Sequence, residues 1–225
     1  MQISHGGGPG GKSPTPEQMA RWRRRMAVPE NEFPSAVGLS VLLGRSGEAA
    51  VGITKVEVYS TGFQFTLAVR VRRLRPELAR GGLFALISPL NHRGIEVPLP
   101  ERLLLGLEYA NGRRASTLHD IRTQGPTTVI DDEELVLAQQ GGGGGDLTVD
   151  LAFWVSPLPP PGPMTFVLSW PSFGIPEAGT VLDGAPIREA AEFSQPLWPP
   201  EPAAEPPALP PLPRPSSGWF ADPPD

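Results

Sequence analysis

The chain has 225 residues and no cysteine, which removes disulfides, thiolate metal sites and cysteine nucleophiles from consideration. Histidine is almost as scarce: of three in all, only His92 and His119 fall in the interior, so imidazole catalysis has little material. No stretch approaches the roughly 18 uninterrupted apolar residues of a membrane-spanning helix. The basic run Arg21-Trp22-Arg23-Arg24-Arg25 leads into Val-Pro-Glu-Asn-Glu-Phe-Pro, where a signal peptide would continue into an apolar h-region. These absences point to a cytoplasmic protein without a membrane span.

Lysine is rare too, with two residues against seventeen arginines, while alanine, glycine and proline abound. A GC-rich coding bias accounts for that before any function does. Charge is segregated: residues 1–27 carry +4, the middle −6 and residues 196–225 −3. Non-specific nucleic-acid binding calls for the opposite sign on the folded part. Glycine and proline together make up about a quarter of the chain, at the edge of low complexity, but twelve of the thirty prolines lie in the last thirty residues. The remaining middle, roughly Val28 to Gln195, is long enough to bury about two-thirds of its surface on folding.

The clearest positive signal runs from Gly62 to Arg72. Phe63, Phe65, Leu67, Val69 and Val71 share one parity; Gln64, Thr66, Arg70 and Arg72 share the other. Side chains alternate across a strand, so this pattern writes one dry and one wet face. Further short strands are expected near 37–43, 50–59, 83–88, 103–110, 113–118, 127–130, 134–139, 147–156 and 164–170. The parity change between Val51/Ile53 and Val56/Val58 predicts a bulge near Thr54-Lys55. Asn111-Gly112 and Ser60-Thr61-Gly62 read as hairpin turns, the first of type I′. A helix is predicted over Pro186–Phe193, with Asp183 placed to cap it.

Many short strands with glycine and proline turns make this an all-β chain. The expected fold is an antiparallel β-sandwich, Ig-like or jelly-roll-like, with one short C-terminal helix, over residues 28–195. Residues 1–27 read as a disordered or mis-annotated N-terminal arm. Pro16–Met26 could form a helix with Met19, Trp22 and Met26 on one stripe, yet nothing in residues 1–25 is patterned to pack. Residues 196–225 read as a disordered, proline-rich tail biased to polyproline II.

Each chemical motif has a bland counterpart. Gly6 to Ser13 matches the P-loop letters, but only five residues precede it, and Pro14 and Pro16 obstruct the helix whose N-terminus should face phosphate. Nucleotide binding is therefore not expected. Gly141–Gly145 reads as a floppy hairpin connection. His119 and Asp120, with Asp131, Asp132, Glu133 and Glu134, could build an oxygen-rich calcium-type site or serve a small hydrolase; solvated loop acids are the plainer reading, and no Gly-x-Ser-x-Gly elbow is present. Arg70, Arg72, Arg73, Arg75, Arg80, Arg113 and Arg114 lack interleaved aromatics, so an ion-paired, solvated face is preferred to nucleic-acid contact.

Two features carry the interaction reading. Trp154 has the polar parity of its strand and precedes a stiff loop containing Pro159, Pro160 and Pro161. It is either part of a partner surface or covered by the 186–194 helix or a neighbouring segment. Trp219 and Phe220 stand at the end of the acidic proline-rich stretch, as a short docking motif or as chance aromatics. The segment Trp154–Pro163, with Trp170-Pro171, Gly174–Glu177 and Pro186–Ala191, resembles a family of uncharacterised proteins from high-GC Gram-positive bacteria. The resemblance covers about residues 29–200, implies a shared domain of unknown role, and brings no catalytic residues or cofactor with it. The expectation is a non-enzymatic protein-interaction module with a docking tail, a protein partner and no cofactor. The alternative is the calcium-type or hydrolytic domain.

Overall fold

Alternating side chains dictate most of the architecture. In the computed structural model, which describes residues 15–74, 82–87, 97–118 and 133–199, the chain is mostly antiparallel β. Helix α1 (Pro16–Met26) is followed by β1 (Glu32–Phe33), β2 (Ser35–Val37), β3 (Val41–Arg45), β4 (Ala49–Tyr59) and β5 (Gly62–Val71). A short α2 (Gly82–Ile87) precedes β6 (Leu104–Tyr109) and β7 (Arg114–Ser116). Then come β8 (Val136–Gly144), β9 (Thr148–Ser156), β10 (Pro163–Trp170), β11 (Ile175–Asp183), α3 (Ala185–Ala191) and β12 (Gln195–Pro196). The larger sheet runs β2-β4-β5-β9-β8, with β3 also on β4; the second runs β11-β10-β6-β7; β1 and β12 form a separate pair.

On β5, Phe63, Phe65, Leu67, Val69 and Val71 are buried, while Arg70 is exposed and Gln64 and Thr66 are half-buried. Phe65 stacks on Phe153 of β9, with centroids 5.5 Å apart, and meets Phe166 of the other sheet edge-on at 5.2 Å. Leu105, Leu107, Met164 and Leu168 of the second sheet belong to the same apolar cluster. The two sheets thus share one core. The bulge in β4 falls where the parity change requires it: Ile53 pairs with Leu67 and Lys55 with Thr66, leaving Thr54 as the extra residue. Val51, Ile53, Val56 and Val58 consequently all point inward.

The structure departs from expectation at several places. Residues 82–87 are helical, not extended; Leu83, Ala85, Leu86 and Ile87 are all buried, and a short all-apolar run carries no period that distinguishes helix from strand. The Asn111-Gly112 hairpin exists, but only Gly112 has positive φ (81°). Gly112 N donates to Tyr109 O at 2.9 Å, which describes a type I turn closed by a left-handed glycine in place of type I′. Gly141–Gly144 are not a loose connection but the second half of β8, paired with Ala152 to Val149. The turn falls later, and Leu147, expected at the start of the 147–156 strand, lies just before β9 and is 42% exposed. Strand β11 was not expected: it pairs along β10 with mostly exposed side chains, so it lacks an apolar alternation to read.

Helix α3 starts at Gly184, with Asp183 accepting a bond from Ala185 N at 2.9 Å and Ile187 buried. Helix α1 has a reciprocal cap, Gln18 N to Thr15 Oγ1 and Thr15 N to Gln18 Oε1. It packs on the outer face of the larger sheet, at β8 and β9, where the sequence reading had an unpacked arm. No helix among the described residues is long and apolar enough to cross a membrane. The expected strand at 127–130, the P-loop look-alike and the proline-rich stretch after Pro199 lie outside the described residues.

Candidate interaction surface

Trp154 has the parity of the outer sheet face, as its sequence position requires, yet it is fully buried. Helix α1 covers it, not α3. The indole Nε1 donates to Arg25 O at 3.1 Å, and the Tyr59 ring meets the indole edge-on at 5.7 Å. Met26, Val136 and Ala138 form a small second core here, with Trp22 against it. Arg25 is buried beside it: Nη1 donates to Ser156 Oγ at 2.8 Å and Nη2 to Glu134 O. Ser156 in turn donates to Thr61 O at 3.1 Å, and Gln140 Nε2 reaches Met26 O at 2.7 Å. Trp154 is therefore a structural anchor and not an exposed partner surface.

The proline ridge is partly spoken for as well. Tyr109 donates its hydroxyl to Pro157 O at 2.8 Å, and burial raises the Tyr109 phenol well above its ordinary pKa, against a weaker lowering by Arg25. Pro159 is buried beneath the start of α3, where a Cβ at Gly184 would come within 3.1 Å of it. Pro160 is half-buried and Pro161 exposed. The ridge wedges β9, β10 and α3 together, and only its tip faces water.

Of the metal-type candidates Glu133 and Glu134 are described, and both are exposed. Glu133 is ion-paired with Arg113; His119, Asp120, Asp131 and Asp132 lie outside the described residues. Among the described residues no group of His, Asp or Glu could hold a metal. Of the clustered arginines, Arg70, Arg113 and Arg114 are ion-paired at the surface, while Arg75 and Arg80 lie outside the described residues. Arg70 grips Asp150 through two bonds, at 2.7 and 3.2 Å, and Arg114 meets Glu108 at 3.0 Å. Exposed pairs of this kind contribute little to stability. Trp219 and Phe220 lie outside the described residues.

Sequence reasoning missed a different group of aromatics. Phe33, Phe193 and Trp198 are 59%, 70% and 55% exposed, and all three lie within two residues of the β1–β12 ladder. Phe33 pairs with Gln195, and Glu32 with Pro196. Leu197 N donates to Asn31 O at 2.8 Å, and Asn31 Nδ2 to Trp198 O at 2.9 Å. Glu32 ties this small ladder to the β4–β5 turn by accepting from Ser60 N at 2.9 Å. Two-residue strands show no periodicity, and Trp198 stands among prolines, so the pairing that brings these residues to one ladder was not readable locally. No protein-family model matches the chain, and neither a curated protein nor a solved structure matches it.

Proposed function

We propose that the chain is a non-enzymatic protein-interaction module, built as an Ig-like or jelly-roll-like β-sandwich and carrying a docking tail. The observation that carries this reading is the exposed trio Phe33, Phe193 and Trp198, held at one ladder beside the root of the proline-rich stretch. Several exposed aromatics at one short ladder mark it as a place for a partner to bind, since such side chains dominate binding. Trp219 and Phe220 extend the same chemistry along the tail, and Asp222 and Asp225 beside them favour a basic partner surface. The setting we infer is cytoplasmic, in the uncharacterised family from high-GC Gram-positive bacteria that the 154–191 segment resembles.

The calcium-type alternative has less behind it, since of its two described residues Glu133 is engaged by Arg113, and no metal-type group of His, Asp or Glu is present among the described residues. Affinity capture from the native host with the full chain tests the module. A partner recovered by the wild type is expected to be lost on Trp219→Ala/Phe220→Ala and weakened by added salt. Equal recovery with both aromatics removed makes the tail a linker only.

A further inference from the structure

Three of the outer sheet edges are blunted, and one is not. β2 is three residues long with α3 packed beside it, and β3, next to it on β4, abuts β11. β7 is three residues long, and β11 carries Pro176 and Glu177. Short strands, prolines, charges and covering elements are the means by which sheets stop pairing outward. β8 runs for nine residues, ends the larger sheet, and has no strand on its outer side among the described residues. Its Gly141–Gly144 half has neither charge nor proline.

The sheet explains only some of these glycines. A Cβ at Gly142 or Gly144 would collide with the carbonyl oxygen of Asp150 or Thr148. At Gly141, Gly143 and Gly145 a Cβ would meet nothing within 4 Å, and none of the three has positive φ. The bare backbone there is therefore not imposed by packing or by conformation. Gly141 and Gly143 pair with Ala152 and Asp150, so they open onto the outer face of the sheet.

One segment of this chain suits that edge. A strand added to a sheet edge bonds through its own N–H groups, which proline lacks. After Pro199 prolines recur throughout except in Ser216–Asp222, a run of seven residues. That run holds Trp219 and Phe220, and an aromatic ring laid across a neighbouring glycine covers the backbone the glycine leaves bare. The chain passes Pro199 beside β1, close to the β2 end of the sheet. From β2 to β8 is four strand spacings, roughly 20 Å, and from the level of Ser60 beside β1 to that of Gly141–Gly144 is five to nine residues along the strands, so the path to cover is roughly 25–35 Å. The sixteen residues Pro200–Pro215 reach about 50 Å as extended polyproline backbone.

We propose that Ser216–Asp222 adds as a strand to the outer edge of β8 of the same molecule, over Gly141–Gly145, with an aromatic ring across the glycines. This goes beyond partner docking: it gives the tail tip an internal site that a partner must displace. Amide hydrogen exchange on the full chain tests it with no partner present, so its outcome is separate from that of the capture experiment. Ser217→Pro/Trp219→Pro removes two donors from the tip and leaves the folded part unchanged. Exchange at Gly141–Gly145 is expected to be at least about tenfold faster in this variant, with wild-type protection unchanged on tenfold dilution. Equal exchange in the two proteins overturns the proposal. Protection that fades on dilution also overturns it, in favour of a second copy as the source of the strand.

Discussion

Phe65 stands where the two sheets meet, between Phe153 on its own sheet and Phe166 on the other. Phe65→Ala removes both ring contacts and leaves a void the sheets cannot close, so a loss of about 3–5 kcal/mol is expected in a urea melt. Tyr109 makes a different prediction. Its phenol is held above the ordinary 10.0 by burial, so the folded chain keeps a proton that the unfolded chain releases. Its contribution is therefore fully present below about pH 10 and is lost as pH rises further, by up to about 1.4 kcal/mol per pH unit. Melts between about pH 9 and 11 should show this decline, and Tyr109→Phe should make it shallower; an unchanged slope would contradict the assignment. At this scale the sequence was legible wherever parity alone decides, as for Phe63 to Val71. For Trp154 it left a partner surface and cover by a neighbouring segment open, because the cover comes from a helix more than a hundred residues away in sequence.

At the scale of elements, α1 is the clearest case of structure that local reading undervalued. Its stripe of Met19, Trp22 and Met26 was visible, but the face it covers is assembled from β8 and β9. Arg25→Ala withdraws the donors to Ser156 and Glu134 O, leaving buried acceptors unpaired, and should cost about 1–3 kcal/mol of unfolding free energy. Arg24→Ala, on an exposed position of the same helix, should stay within about 0.5 kcal/mol. The glycine half of β8 offers a second contrast. Gly142→Ala is expected to destabilise because its Cβ meets the Asp150 carbonyl, whereas Gly143→Ala enters open space and should be close to neutral. If both substitutions cost the same, the close approach of β9 is not what excludes side chains. Glycine runs, the all-apolar α2 and the wet strand β11 share one reason for being misread: none has the amphipathic period from which an element type is recognised.

For the whole molecule, strand number and turn positions made an all-β, antiparallel chain evident, and the bulge at Thr54 was legible because it shifts parity within one strand. The proposed interaction residues were not. Phe33 and Trp198 stand 165 residues apart in sequence and are brought to the same small part of the fold only through a two-residue ladder, which no local pattern announces. The proposal at this scale is that Phe33, Phe193 and Trp198, and not exposed apolar surface in general, recognise a protein partner. Its most direct test is quantitative capture from native-host lysate with three full-length proteins: wild type, Phe33→Ser/Phe193→Ser/Trp198→Ser, and Val181→Ser. Val181 is 66% exposed but lies on β11, so it controls for lost surface hydrophobicity. A protein enriched by the wild type and by Val181→Ser is expected to be lost from the triple variant, which should remain folded by circular dichroism. The same set of proteins captured equally by all three would contradict it.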